Sequence, residues 1–220
     1  MPGKGEQTKI RIVNAAKKLF GTKTYDYVTT RMIAAEAHCS QSAISFYFST
    51  KENLCAAVID DIIKYHKIYY TPLANSVNDC EKSGQLTQEV AMLYLQQYLH
   101  TQLEIAFDPR NRCAISFSVN GEDLPGHISD KISESVFNNV TVPMAKLLCV
   151  YSYMSFDKAL VYSQTLTNCI VTYPFTEPIP YETLHEYADN KQDYDRETMV
   201  RQVKQYIMDF CINMIKSIKQ

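Results

Sequence analysis

The sequence predicts an all-α protein with a small N-terminal domain of three helices and a larger C-terminal helical bundle. Three observations lead to this fold class. Apolar residues recur at spacings of three and four along most of the chain. No run alternates apolar and polar residues as a strand does, and two short helical patterns are joined by a brief turn within residues 29–54. The 220 residues, 46% of them hydrophobic, are enough to bury a core.

Residues 29–54 are typical of a helix-turn-helix, in which the second helix enters the major groove of DNA. Because the turn at residues 38–40 is short, we expect the two helices to cross instead of continuing along one axis. Each helix has an apolar side, formed by Ile33, Ala34 and Ala37 in the first and by Ala43, Ile44, Tyr47 and Phe48 in the second. A three-helix packing unit without DNA contacts has the same pattern, but the remaining residue types favour the DNA-binding interpretation.

The polar residues of this segment suit contacts with DNA. Ser40 is expected to cap the second helix, whose outer face then carries short polar groups and an aromatic ring that can reach base edges and thymine methyl groups. Thr29 caps the first helix, where free N–H groups suit a phosphate, and Thr50 with Lys51 repeats this arrangement in the third. The predicted DNA contacts are Thr29, Thr30, Arg31, Gln41, Ser42, Ser45, Phe46, Tyr47 and Lys51.

Four groups of residues in the N-terminal quarter follow a familiar order. They are Ile12, Ala15, Ala16, Leu19 and Phe20, then residues 29–34, then residues 40–48, then residues 51–54. In this order they resemble the N-terminal domain of the TetR family of bacterial transcription regulators. The resemblance covers residues 9–58, and no comparable signature follows it.

Three positions depart from the family pattern. His38 and Thr24 stand where the family usually has Gly, and Ser45 replaces a usual Tyr or Asn on the second helix. Because His tolerates positive φ better than most residues, we expect the turn at His38 to survive at a small cost. The change at Ser45 affects which operator sequence is chosen more than it affects binding.

The charge distribution separates the two predicted domains. Residues 1–51 hold eight Lys and Arg against three Asp and Glu, a net charge of +5, whereas the remaining residues hold 14 against 21, a net charge of −7. A basic N-terminal part joined to an acidic remainder is typical of a protein that binds nucleic-acid phosphates through its N-terminal domain. We expect residues 1–52 to form the DNA-binding domain and residues 53–220 to form the domain for ligand binding and dimerisation.

Several functional classes find no support in the sequence. There is no targeting segment and no apolar run long enough to span a membrane, so we expect a cytoplasmic protein without a membrane partner. The seven cysteines are scattered, without a CxxC pair, and no Cys or His residues fall at metal-ligand spacing. We therefore predict no metal and no cofactor. No catalytic motif is present, and we predict that the protein is not an enzyme.

The rest of the chain is read as further helices. We expect a first helix at about residues 8–20 that ends at Gly21, a third helix that continues to about residue 70 and is ended by Pro72, and a buried helix at residues 86–107. Residues 128–151 follow, kinked or split near Pro143. The pattern then predicts helices at residues 156–171, at 181–188 after a loop with Pro174, Pro178 and Pro180, and near the C-terminus.

Two sets of residues in the body are candidate sites. Soft and aromatic side chains suit an apolar ligand pocket, although each is as readily explained as plain core: Met92, Tyr94, Tyr98, Phe107, Phe117 and Tyr151. The resemblance implies that two late helices pair with their copies in a homodimer through Leu160, Ser163, Leu166, Ile170, Val203, Ile207, Phe210 and Met214. An internal core stripe is the alternative for this second set.

Together these features predict a homodimeric repressor that occupies a palindromic operator in double-stranded DNA and is released by a small-molecule effector. No motif specifies which effector it is. The alternative is a dimeric sensing or interaction protein whose helix-turn-helix is vestigial, and measurable salt-dependent affinity for duplex DNA discriminates between the two.

Overall fold

A computed structural model describes residues 3–119, 124–176, 186 and 195–219. All regular structure in these residues is helical, which confirms the predicted all-α class. The helices are α1 Lys4–Phe20, α2 Thr30–Glu36, α3 Gln41–Phe48, α4 Lys51–Lys82, α5 Gln88–Phe107, α6 Arg112–Val119, α7 Gly126–Val136, α8 Val142–Ser152, α9 Phe156–Thr176 and α10 Arg196–Ser217. A 3₁₀ turn at Pro109–Asn111 and a π-helical turn at Phe137–Thr141 precede α6 and α8.

The chain divides into two compact units. Unit 1 comprises Met1–Tyr69 and Asp108–Phe137, and unit 2 comprises Tyr70–Phe107 and Asn138–Gln220. The predicted functional boundary at residue 52 stays a prediction. The predicted helix at residues 181–188 lies outside the described residues, apart from the helical residue 186.

The core of unit 1 gathers the apolar faces of its helices. Ile12, Ala16 and Phe20 of α1 are fully buried, as the predicted stripe requires. They share one cluster with apolar residues of the next three helices and of α6 and α7, which include Ile33, Ile44, Phe48, Leu54, Val58, Phe117 and Ile128. Burial of an aliphatic or aromatic side chain contributes about 1.5–3 kcal/mol, so this cluster holds the short helices α2 and α3 in place.

Local caps fix the ends of α2 and α3. The Thr29 hydroxyl accepts a hydrogen bond from the Met32 N–H at 3.2 Å, and the Ser40 hydroxyl accepts one from the Ala43 N–H at 3.2 Å. His38, in the turn between the helices, has a φ of 50°. The predicted caps at Thr29 and Ser40 and the predicted positive φ at His38 are therefore confirmed.

Gly21 is the C-cap residue of α1, as predicted. Its φ is −73°, an ordinary right-handed helical value that any residue adopts. A Cβ at this position would lie 3.1 Å from the Cys113 nitrogen and 3.2 Å from the Lys17 oxygen. The close approach of α1 to the start of α6, and not a left-handed conformation, is therefore what favours glycine here.

Two prolines predicted to lie outside helices are inside them. Pro72 is within α4, which continues to Lys82, and Pro174 is within α9, which continues to Thr176. Proline removes one backbone N–H and one i to i−4 hydrogen bond, but packing of the flanking turns can outweigh that loss. In α4, Tyr70 and Val77 on either side of Pro72 are both buried.

Unit 2 is built on α5, α8 and α9, which pack against one another, with α10 against α5 and α9. The predicted central helix α5 buries residues on most of its sides, including Leu95, Tyr98, Leu99 and Leu103, although Leu93 is 59% exposed. Near Pro143, where a kink or split was predicted, the backbone stays helical and changes from the π-helical turn that ends at Thr141 to α8, which begins at Val142. No helix in the described part of the chain is long and apolar enough to cross a membrane.

Candidate nucleic-acid interface

Helix α3 presents one face to the core of unit 1 and the other to solvent. Ile44 and Phe48 are buried, whereas four of the predicted DNA contacts are exposed: Gln41, Ser42, Ser45 and Phe46. These four lie at positions i, i+1, i+4 and i+5, which share one side of an α-helix. Phe46 is the extreme case, because 81% of its surface is exposed. Its ring is therefore available for contact with a partner.

The polar groups on this face are held by hydrogen bonds to their neighbours. Gln41 donates from Nε2 to the hydroxyl of Thr30 at 3.0 Å, which joins α3 to α2. The hydroxyls of Ser40 and Ser42 lie 2.8 Å apart, and Ser45 donates to the carbonyl oxygen of Gln41 at 3.5 Å. The structure thus brings Thr30 and Gln41, predicted separately, into one contact that orients the amide.

Tyr47 occupies the edge of the exposed face. Its ring is partly buried and meets the Phe46 ring edge to face, with centroids 5.1 Å apart and planes at 82°. A Cβ on Gly5 would lie 3.2 Å from the Tyr47 hydroxyl oxygen, so the first turn of α1 passes directly beside it. Tyr47, predicted both for the apolar side of α3 and for a DNA contact, is thus partly packed, and its DNA contact stays a prediction.

The predicted phosphate contacts have different surroundings. Arg31 is exposed at the start of α2. Thr29 is exposed as well, but its hydroxyl already accepts the Met32 N–H. A phosphate beside Thr29 would therefore meet the free N–H groups of the first turn of α2 more readily than the hydroxyl.

Lys51 has partners within unit 1 that the sequence did not reveal. Its ammonium donates to the carbonyl oxygens of Tyr25 at 2.9 Å and Val28 at 3.2 Å. The same nitrogen lies 4.0 Å from the centre of the Tyr25 ring, in a cation–π contact. An ammonium group has three donors, so two are committed to the loop between α1 and α2. Lys51 stays a predicted phosphate contact, and the structure adds a packing role.

Lys9 is a basic residue of α1 that lies near α3. It is exposed, and its ammonium lies 6.0 Å from the centre of the Phe48 ring. The first half of α1 therefore adds a positive charge close to α3. Helical spacing could not indicate this, because the path of α1 past α3 is a tertiary feature.

Four of the eight predicted dimer residues belong to the interior of unit 2. Ser163, Leu166 and Ile170 of α9 and Val203 of α10 are buried within the single chain. Ser163 donates to the carbonyl oxygen of Thr141 at 2.9 Å, which fits a core position. The alternative of an internal core stripe accounts for these four. Leu160, Ile207 and Met214 are half-buried and Phe210 is 57% exposed, so their dimer role stays a prediction.

The six predicted pocket residues have varied surroundings. Phe117 lies in the core of unit 1, with its ring centroid 5.5 Å from that of Phe20. The other five are in unit 2. There Tyr98 is fully buried and stacks on Tyr70 at 6.1 Å, while Tyr151 is buried and Met92, Tyr94 and Phe107 are half-buried. Their role in a ligand pocket stays a prediction.

The cysteines with the most buried thiols are poorly suited to redox sensing. Burial raises the pKa of Cys55 to about 12 and that of Cys211 to about 12, and it raises the pKa of Cys113 as well. Since the thiolate is the reactive form, these three thiols are inert at neutral pH. Within the described residues, no group of three or more His, Cys, Asp or Glu side chains is placed to hold a metal ion.

Comparison with known proteins supports the resemblance. Residues 12–58 match the sequence model of the tetR family, described as bacterial regulatory proteins. No curated protein sequence matches the chain.

Three solved structures illustrate the similarity of fold. A TetR transcriptional regulator from Legionella pneumophila is 15% identical, with a TM-score of 0.56, and the match covers 100% of this chain and 99% of that chain. HlyIIR, a hemolysin II transcriptional regulator, is 21% identical, with a TM-score of 0.57 over 93% and 97% of the two chains. The fatty acid degradation regulator FadR from Bacillus halodurans is 14% identical, with a TM-score of 0.53 over 94% and 96%.

At these identities the structural matches establish the fold alone, and the family match covers residues 12–58. The exposed face of α3 described above lies within the matched segment. Residues 12–58 therefore match the model of the tetR family of bacterial regulatory proteins, and the chain as a whole shares the fold of the TetR-type structures named above.

Proposed function

We propose that the protein is a DNA-binding transcriptional regulator, and that it acts in the cytoplasm as a homodimeric repressor released from a palindromic operator by a small-molecule effector. The observation that carries the proposal is the exposed face of α3. Gln41, Ser42, Ser45 and Phe46 point away from the core on a helix anchored by Ile44. A helix with this division fits the major groove, where side-chain amides, hydroxyls and aromatic edges read bases.

The base contacts are assigned by chemistry. The Gln41 amide suits a bidentate contact with adenine, for which it must exchange its bond to Thr30. Phe46 suits a thymine methyl group, since its ring is exposed and apolar. Ser42 and Ser45 supply short donors and acceptors that do not obstruct the approach of the helix.

Phosphate contacts are proposed to set register and salt dependence. Arg31 and Lys9 are exposed cations near α2 and α3, and the first turn of α2 offers free N–H groups. Each neutralised phosphate releases counterions, so affinity for any duplex is expected to fall as salt rises. The net charge of +5 on residues 1–51 favours this behaviour.

A homodimer is needed for two half-sites to be read together. The predicted residue Phe210 and its neighbour Tyr206, one turn earlier on α10, are 57% and 65% exposed, and Val161 of α9 is 67% exposed. Large apolar side chains exposed in unit 2 are candidates for burial against a second copy. We expect Phe210→Asp to shift the protein from dimer to monomer in sedimentation velocity, while Gln97→Asp, an exposed change on α5, leaves the dimer intact.

The experiment that tests the DNA-binding proposal is selection of bound sequences from a random duplex pool at physiological salt. The expected result is a palindrome with half-sites about one helical turn apart. The double variant Gln41→Ala, Phe46→Ala is the matched control, because both side chains are exposed and their loss should leave the fold intact. Absence of enrichment by the folded wild-type protein would contradict the proposal and favour a vestigial helix-turn-helix.

A further inference from the structure

Unit 1 contains a groove that the proposed DNA contacts leave unused. It has a volume of about 570 Å³ and lies between the last turns of α1, the middle of α4, and the Pro109–Asn111 turn with the start of α6. None of the six predicted pocket residues lines it. Volumes of roughly 300–1,000 Å³ are usual for small-molecule sites, so the groove is large enough for a ligand.

The walls of the groove are cationic. Lys17 and Lys18 of α1 face Arg110 and Arg112 of the opposite wall, and no acidic residue is among the lining residues that the structure describes. Four positive charges, set against the three carboxylates that pair with them, leave a net charge of +1, which favours anions. The groove also lies at the first turn of α6, whose partial positive charge likewise attracts anions.

Three of the cations are oriented by carboxylates that lie outside the groove lining. Lys17 is paired with Asp61, Lys18 with Glu36 at 2.6 Å, and Arg110 with Asp108 at 2.6 Å. Hydrogen bonds from Arg110 hold the pKa of Asp108 below its usual range, so this carboxylate stays ionised and keeps the guanidinium in place. An ammonium has three donors and a guanidinium five, so each cation retains donors for a second acceptor.

The remaining surface of the groove is apolar or aromatic. Ile62 is 5% exposed and Cys113 is 2% exposed, and Gly21 offers no side chain. The Tyr65 ring forms part of the wall, and its hydroxyl donates to Asp108 at 3.4 Å. Because this bond fixes the ring, a flat apolar body could pack against it while its charged end meets the cations.

We propose that this groove binds a small aromatic carboxylate. Its carboxylate accepts hydrogen bonds from Arg112 and Lys18, one exposed cation on each wall, and its ring packs on Tyr65 and Ile62. An inorganic anion would use the charges but not the apolar floor, and a neutral aromatic molecule would use the floor but not the charges. The site is proposed independently of DNA binding, so its failure would leave the proposed function untouched.

The test is calorimetric titration of the full chain with 2-naphthoate at low salt, compared with neutral 2-naphthylmethanol and with inorganic phosphate. We expect 2-naphthoate to bind about tenfold or more tightly than either comparison compound, because only it can use both parts of the groove. Its affinity should also weaken as salt is added. Equal binding of 2-naphthoate and 2-naphthylmethanol, or no binding of 2-naphthoate at millimolar concentration, would overturn the proposal.

Variants locate the site. Arg112→Gln and Lys18→Gln each remove one exposed cation, and each should weaken 2-naphthoate binding by about tenfold, the effect of one charge-assisted hydrogen bond. Arg201→Gln makes the same change on exposed α10 of unit 2 and should have no effect. Circular dichroism melting confirms that each variant is folded. Unchanged binding in Arg112→Gln and Lys18→Gln, or an equal loss in Arg201→Gln, would place the ligand elsewhere and overturn the assignment.

Discussion

The ammonium of Lys51 donates a hydrogen bond to the carbonyl oxygen of Tyr25 at 2.9 Å and lies 4.0 Å from the centre of the Tyr25 ring. This contact joins the first residue of α4 to the loop that connects α1 and α2. The Tyr25 ring in turn stacks on Phe20, with centroids 5.8 Å apart. Lys51 therefore connects the start of α4 to the loop before α2 and, through Tyr25, to Phe20 of α1.

Loss of this ammonium should destabilise the protein. Lys51→Met keeps the alkyl stem but leaves two carbonyl oxygens, those of Tyr25 and Val28, without their charged donor. We expect the free energy of unfolding to fall by about 1–3 kcal/mol, as measured by urea denaturation. In Lys67→Met, which changes an exposed lysine of the same helix, the free energy of unfolding should fall by less than about 0.5 kcal/mol. Equal losses in the two variants would mean that the Lys51 contacts contribute nothing.

Gly21 should not tolerate a methyl group. In Gly21→Ala, the new Cβ would lie 3.1 Å from a backbone nitrogen of α6 and 3.2 Å from a backbone oxygen of α1, neither of which is a flexible side-chain end. We expect destabilisation of about 1–3 kcal/mol, which exceeds the usual gain from replacing glycine. Gly126→Ala is the control, because no atom lies within 4 Å of its added Cβ. Thermal melting of both variants tests the difference, and a Gly21→Ala protein as stable as wild type would contradict the close packing.

His66 should make stability depend on pH. Burial, with a smaller contribution from nearby Lys17, lowers the pKa of His66 from 6.5 to about 4. The unfolded chain therefore binds a proton more readily than the folded chain between these values. The stability that depends on a neutral His66 is fully present above pH 6.5 and is lost as the pH falls towards 4, by about 3 kcal/mol in total.

Urea denaturation between pH 7.5 and pH 4.5 measures this dependence. In His66→Gln the slope of unfolding free energy against pH should flatten over this range, whatever the stability of the variant at pH 7.5. An unchanged slope would show that other groups cause the acid sensitivity.

DNA contacts should separate into base and phosphate classes. Gln41→Ala is expected to relax the choice of base at one position of each half-site with little change in affinity for random DNA. Arg31→Gln should instead weaken binding to operator and random DNA alike, and lower the salt slope by about one. Fluorescence anisotropy at several salt concentrations measures both. Equal losses of Gln41→Ala on operator and random DNA would remove Gln41 from the base contacts.

The local features of the helix-turn-helix could be predicted because they depend on neighbours in sequence. The caps at Thr29 and Ser40 each use an N–H three residues later, and the positive φ at His38 belongs to a turn of a few residues. Spacing alone also separates the buried Ile44 and Phe48 from the exposed Phe46. These features need no knowledge of the rest of the fold.

Features that depend on partners from distant parts of the chain were predicted less well. Helical spacing showed that α9 has a face of small and large residues but not what covers it, and Ser163 and Leu166 pack inside unit 2. Pro72 and Pro174 were expected to lie outside helices, since a single proline weakens a helix in isolation. Packing of the flanking turns is a tertiary contribution, and a sequence window does not contain it.

The sequence by itself determined the helical class, the helix-turn-helix with its caps, and the polar face of α3, because periodicity and short-range hydrogen bonds specify them. Only the tertiary structure decided that Lys51 donates a hydrogen bond to Tyr25, that Gly21 packs closely against the start of α6, and that cations of α1 and α6 surround one groove. These relationships join residues tens of positions apart. Their distances follow from how the helices pack, and no local pattern of residue types encodes that arrangement.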